Sequence, residues 1–262
     1  MVYTCYEMIR DCRENKPEGW SYFIASYAPL IRRLLEHYAP QQAGDRSLLE
    51  RILLALRRPE SSLFQTLEPA PERWFVAGLR QKVLAEIAWP APDIEIELDS
   101  VAAALEPLTL TEKQTAWFET MSYDARKTGV MLRMAPPTVE KIREKAGELL
   151  RGALSAWRRG ILAENGAALG RAAAAACGGE CPAAKVFLDI LDGRTTWGGR
   201  EEMERHVSGC WHCIDHFCRM METVEVIRGI APLSEAESAP LLELLGVRPQ
   251  RPSLWKRFVG KG

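Results

Sequence analysis

Cys181, His206, Cys210 and Cys213 have the side-chain types and the spacing to close around one metal ion. Three thiolates and one imidazole make a ligand set that zinc binds tetrahedrally. If residues 206 to 213 formed one unbroken helix, a rise of about 1.5 Å per residue would hold His206 and Cys213 roughly 10 Å apart along its axis. One ion with bonds of about 2.0–2.3 Å does not span that gap. The helix carrying His206 is therefore predicted to stop near Gly209, a residue suited to a left-handed cap. Cys210-Trp211-His212-Cys213 then forms the turn into the next helix, where free N–H groups and the helix dipole favour thiolate over thiol. The fourth ligand is Cys181 or Cys177. Cys181 is preferred, because Pro182 suits the first turn of a helix running through Ala184, Phe187, Leu188 and Leu191. Cys177 lies in a glycine-flanked stretch and Cys218 on the inner side of the following helix. The plainer alternative is a set of ordinary buried cysteines and surface histidines, the reading given to Cys5 and Cys12 as small apolar side chains.

Four protein ligands leave no open position, so a structural metal is expected rather than a catalytic one. A nucleophilic Cys213 with His212 or His216 as base lacks any accompanying oxyanion or substrate motif, and the chain is expected not to be an enzyme. The seven cysteines are an odd number and no secretory signal opens the chain, which favours metal over a disulfide framework and implies a cytoplasmic location.

The elements that must position this cluster are helical. At 262 residues, 47% hydrophobic and 26% charged, the chain can fill two or three small cores and is not of disordered composition. No apolar run approaches the roughly 20 residues that cross a bilayer, so stable membrane insertion is not expected. Net charge is −1, so any nucleic-acid binding must come from a local patch. Phe23, Tyr27, Ile31, Leu34, Leu35 and Tyr38, then Leu49, Ile52, Leu53 and Leu56, then Trp74, Phe75, Leu79, Val83, Leu84 and Ile87 predict three amphipathic helices. Ala88-Trp89-Pro90-Ala91-Pro92 ends this bundle. The chain is thus expected to be all-α, with a bundle over 1–92, an acidic linker over 93–107 and a second helical block over 108–161. A linker over 162–176, a metal-binding domain over 177–230 and a tail over 231–262 follow. The tail closes with the basic aromatic stretch Leu254-Trp255-Lys256-Arg257-Phe258.

The second block opens at Leu108-Thr109-Leu110-Thr111-Glu112 with a helix-start pattern. Trp117, Phe118 and Met121 follow on one face, then a short helix within Tyr123 to Leu132. After the turn Met134-Ala135-Pro136-Pro137-Thr138 comes a long helix with Val139, Ile142, Ala146, Leu149, Leu150, Ala153 and Trp157 inward. That is the layout of a helix-turn-helix with an extended recognition helix. From Leu108 to Gly160 the segment carries an excess of basic residues. Thr138, Lys141, Arg143 and Lys145 on the first turns of the long helix, with Arg126 and Lys127 on the short one, are the candidates for phosphate and base-edge contacts. Lys141 and Lys145 beside Glu140 and Glu144 also fit an ordinary solvated helix face.

On Pro137-Thr138-Val139 and Ala146-Gly147-Glu148-Leu149-Leu150-Arg151, the second block resembles region 4 of bacterial sigma factors of the extracytoplasmic-function type. The first bundle resembles region 2: Trp20 to Tyr38 is similar to its first helix, Asp45 to Leu56 to the acidic helix that docks on core polymerase, and Trp74 to Leu79 to the start of the promoter-melting helix. Leu191-Asp192-Gly193 with His206-x3-Cys210-x2-Cys213 is similar to a zinc-binding anti-sigma domain. The resemblance implies core RNA polymerase and double-stranded promoter DNA as partners. It also implies a zinc domain that modulates initiation by docking intramolecularly on the sigma-like regions. Ile214, Phe217, Met221, Val224 and Ile227 offer the apolar stripe for such docking, or else form the zinc domain's own core. The zinc would be a staple, or a switch with Cys177 or Cys218 as disulfide partners. Only Arg80 and Lys82 stand where region 2 carries a basic cluster, and Lys127-Thr128-Gly129 also departs from the family pattern. Both departures leave duplex recognition better supported than promoter melting. The alternative is a degenerate sigma-like protein that serves as a zinc-binding interaction module or anti-sigma regulator.

Overall fold

The apolar spacing of the first third becomes helix in the structure, a computed structural model describing residues 3–58, 61–65, 72–87, 98–164, 166–177 and 179–247. Among the described residues every regular element is helical, and the chain divides into two compact units. One comprises Met1–Ile87 with Val226–Gly262, the other Ala88–Glu225.

In the first unit, α1 (Cys5–Arg13) begins at Thr4, whose hydroxyl and the Glu7 carboxylate satisfy each other's backbone N–H groups in a capping box. The sequence reading did not anticipate this helix. It lies so close to α2 (Pro17–Tyr38) that a Cβ on Gly19 would stand 2.6 Å from the Cys12 backbone nitrogen. Burial disfavours the Asp11 carboxylate, but hydrogen bonds from Arg10, Tyr3 and Lys16 outweigh it and bring its pKa down to about 2. The helices α3 (Arg46–Arg57) and α4 (Glu72–Glu86) complete the bundle at the predicted places, joined through a 3₁₀ turn at Ser62–Phe64. Their shared core is aromatic, with Phe23, Tyr27, Phe64 and Phe75 ring centroids 5.0 to 6.3 Å apart. The predicted end of the bundle at Ala88 to Pro92 and the acidic stretch as far as Glu97 lie outside the described residues.

In the second unit, α5 (Leu98–Leu105) occupies most of the expected linker, burying Val101 and Leu105 and packing on α8. The helix α6 (Leu110–Thr120) starts at a capping box of Thr109 and Glu112, as its sequence signature predicts. After α7 (Ala125–Leu132), Arg133 takes the left-handed conformation at φ 56°, and α8 (Pro136–Ala153) starts on its own prolines. The turn is tight because residue 129 has no side chain: a Cβ there would meet the Met134 carbonyl oxygen at 2.6 Å. Val139, Ile142 and Ala146 face the core as expected. Trp157 does not. The long helix ends where Leu154 turns extended, with Arg159 Nη1 donating to the Leu154 carbonyl at 2.6 Å, and Trp157 lies 65% exposed on α9 (Ala156–Glu164).

The expected linker over 162–176 is likewise helical, as the end of α9 and α10 (Gly166–Ala175), which buries Leu169 and Ala173 and packs on α5 and α6. Then come α11 (Ala184–Leu191), α12 (Trp197–Gly209) and α13 (Trp211–Ile227), whose end from Val226 belongs to the first unit.

The region read as a tail re-enters the first unit as α14 (Glu235–Leu244), packed on α2. Pro29 within α2 has no N–H to give the carbonyl of Ala25, and the Leu233 N–H donates to that oxygen at 2.8 Å instead. Arg33 Nη1 donates to the carbonyls of Val226 at 2.9 Å and Arg228 at 2.7 Å. The stretch 254–258 lies outside the described residues.

Candidate metal centre

Cys181, His206, Cys210 and Cys213 converge, with one ligand atom from each lying within 4.8 Å of the others. The Cys181 and Cys210 sulfurs are 3.8 Å apart and His206 Nε2 is 3.2 Å from Cys213 Sγ. A tetrahedral ion with sulfur bonds near 2.3 Å has sulfur-to-sulfur edges of about 3.8 Å. The donor set and its spacing therefore fit a single metal ion.

Three elements build it. Helix α12 carries His206 in its last turn and stops at Cys210, which is extended at φ −123° and ψ 106°. The predicted stop is in place, but its device differs: the break is made by this extended cysteine and not by a left-handed glycine at 209. Cys213 then sits in the first turn of α13, fully buried. Cys181 approaches from the segment ahead of α11, which is capped by Ala183, so Pro182 precedes the helix rather than opening it. Burial first, then the neighbouring Cys210 and Cys181 sulfurs, pushes the Cys213 thiol above its ordinary pKa. A divalent cation reverses that preference, since it binds the thiolate.

Cys177 is exposed, and it forms a second group with Cys181 and His212 whose ligand atoms also lie within 4.8 Å of one another. His212 Nδ1 lies 3.2 Å from the Ala173 carbonyl on α10. Cys218 is fully buried on α13 and belongs to neither group.

The helix leaving the centre is held by polar groups that sequence reasoning missed. The expected stripe contributes Ile214 to the interior, but Phe217, Met221, Val224 and Ile227 are only partly covered. The deeply buried face holds Asp215 at 2% exposure and Glu222 at 0%, alongside Arg219, Cys218 and Met220. Trp117 Nε1 on α6 donates to Asp215 Oδ1 at 3.1 Å, Arg219 pairs with the same carboxylate, and Tyr123 donates its hydroxyl to Glu222 Oε1 at 2.6 Å. Lys113, 3% exposed, donates to the Ser208 carbonyl in the last turn of α12 at 2.9 Å and to Glu106 at 3.0 Å, beneath the Trp211 ring. The available signal was the spacing of Asp215, Arg219 and Glu222, which places three charges on one side of an otherwise apolar helix.

The basic candidates divide. Thr138, Lys141, Arg126 and Lys127 are exposed on α7 and the first turns of α8. Lys145 is exposed but ion-paired with Glu112 at 2.8 Å, and the half-buried Arg143 donates to the Tyr123 carbonyl. In the first unit, Arg80 is buried, donating to the Tyr38 hydroxyl at 2.7 Å. Comparison with family models, curated proteins and solved structures gives no match to this chain.

Proposed function

We propose that this protein is a sigma-type regulator of transcription initiation whose zinc module is built onto its DNA-reading helices. The observation that supports this reading most is that α6, α7 and α8 have the order and tight turn of a helix-turn-helix, while α12 and α13 are joined in the same unit to Lys113 and Trp117 of α6 and to Tyr123 in the turn after it. In this reading Thr138 and Lys141, with Arg126 and Lys127, meet the duplex backbone and base edges. Lys145 exchanges Glu112 for phosphate, and Arg143 shapes the turn from within. Zinc, bound by Cys181, His206, Cys210 and Cys213, is a structural staple for the break between α12 and α13. The first bundle is the surface for core RNA polymerase, by its resemblance to region 2. The protein performs no catalytic step of its own.

A second reading has its own support. Arg80 is turned inward at the helix where promoter melting would need free cations, which favours an interaction or anti-sigma role without strand opening. The full-length chain separates the two when tested for capture of core RNA polymerase and for binding of labelled promoter fragments at two salt concentrations. Polymerase capture together with salt-dependent duplex binding, weakened across sequences by Lys141→Ala with the salt slope reduced by about 1, supports the first reading. Polymerase capture without duplex binding supports the second. Failure of both excludes the sigma-type role.

A further inference from the structure

The two Cys/His groups share Cys181, and one tetrahedral ion does not use the members left over. Cys177 and His212 stand beside the first set with their ligand atoms within 4.8 Å of the Cys181 sulfur and of each other. Three features distinguish them from bystanders. The His212 ring lies with Nδ1 3.2 Å from the Ala173 carbonyl. That carbonyl outer partner is the usual means of orienting a ligating imidazole. Cys177 is exposed, so this side is open to solvent, whereas Cys213 in the first set is fully buried. Finally, three thiolates around one divalent ion leave an excess negative charge, and a thiolate sulfur has lone pairs enough to bridge two ions.

We propose that the protein has a second, exchangeable site for a thiophilic divalent ion of the zinc class, formed by Cys177, His212 and a bridging Cys181. The inference rests on the zinc reading of the first centre. A second divalent ion arriving with the Cys177 thiolate neutralises the pair of sites, which favours its entry. With three protein ligands its fourth position falls to solvent or to a small donor molecule, so it exchanges more readily than the closed first centre.

Native mass spectrometry of the full chain, titrated with zinc after gel filtration, counts the ions directly. The expected result is one ion retained through purification and a second that adds at higher zinc. Cys177→Ser changes an exposed side chain, and His212→Asn keeps an amide to donate to the Ala173 carbonyl. Each should weaken the second ion by more than the roughly 100-fold that loss of an outer partner costs, with the first ion and the helical circular dichroism unchanged. In cadmium-substituted protein the bridge should make the first resonance shift as the second grows in. Saturation at one ion overturns the second site while leaving the first intact. A second ion that persists in both variants overturns it as well, by placing the ion elsewhere. Saturation at zero overturns the zinc reading itself.

Discussion

Asp215 is a carboxylate withdrawn from water that accepts from the Trp117 indole and pairs with Arg219, itself buried. Such a pair is worth little over a well-packed apolar one, but breaking it by removing a single partner strands a buried charge. Asp215→Ala should therefore destabilise the second unit by about 3–5 kcal/mol. Asp215→Ala combined with Arg219→Met should recover more than half of that in urea denaturation. If the single and double variants are equally destabilised, the cost is lost packing and not a stranded guanidinium. His216, one turn beyond His212 and against the Phe187 ring, carries a different consequence. Burial first, then Arg219 and His212, brings its pKa from the ordinary 6.5 down to about 4. Between those values the unfolded chain binds the proton and the folded chain does not. Stability is therefore full above about pH 6.5 and falls as the pH drops towards 4. The loss is at most about 3 kcal/mol. His216→Gln removes this component while leaving any acid lability of the metal ligands in place. The wild-type and variant stabilities should converge as the pH is lowered across that window. Parallel curves would show that the imidazole titrates normally.

At the level of elements, the turn between α7 and α8 depends on one missing methyl group. Gly129→Ala would drive a Cβ against the Met134 carbonyl oxygen, a backbone atom that cannot swing aside, and should cost about 1–3 kcal/mol. The same change at Gly152, where the added Cβ meets nothing within 4 Å, should stabilise the helix by about 0.5–1 kcal/mol. Thermal denaturation of the two variants should move in opposite directions, and a lower midpoint for both would remove the steric argument. The same turn shows what was legible beforehand. The threonine and glutamate that open α6 and the apolar spacing of Val139, Ile142 and Ala146 are local signals, and local structure obeys them, whereas the prolines read as part of the preceding turn open α8 itself. Trp157 continues that spacing but follows the break at Leu154, so periodicity alone extended the helix too far. The helices α5 and α10 escaped notice because alanine-rich segments show no polar and apolar alternation, although both pack on neighbours. The convergence of the candidate ligands was readable because a helix cannot bring residues seven apart to one ion, so a shared ion requires a break whatever the tertiary fold. What covers α13 was not readable, since Asp215 and Glu222 are buried only because Trp117 and Tyr123, nearly 100 positions earlier, supply their hydrogen bonds.

For the molecule as a whole, the candidate metal centre is where three helical segments of the second unit meet. Cys181 precedes α11, His206 ends α12 and Cys213 starts α13, so a cation bound there would tie all three, and its loss would return closely spaced sulfurs, the Cys213 one buried, to mutual repulsion or protonation. Few large apolar side chains in this segment are deeply buried, chiefly Phe187, Leu188, Met203, Val207, Ile214 and Met220, and a core so small would gain much from a metal bound at the four ligands. The first unit has an aromatic core of its own around Phe23, Tyr27, Phe64 and Phe75, which contains no metal ligand. Chelation at neutral pH should therefore split unfolding into two steps. The earlier step should carry loss of the α12 and α13 helicity and a change in tryptophan fluorescence, because the Trp117 and Trp211 rings lie 5.3 Å apart on either side of this packing. The later step should keep the midpoint of the untreated first unit. Adding zinc back should merge the transitions again. A single unshifted transition after the metal has been shown to be absent would mean that the four ligands meet for packing alone, and that the break between α12 and α13 is held by Lys113, Asp215 and Glu222 without help from a cation.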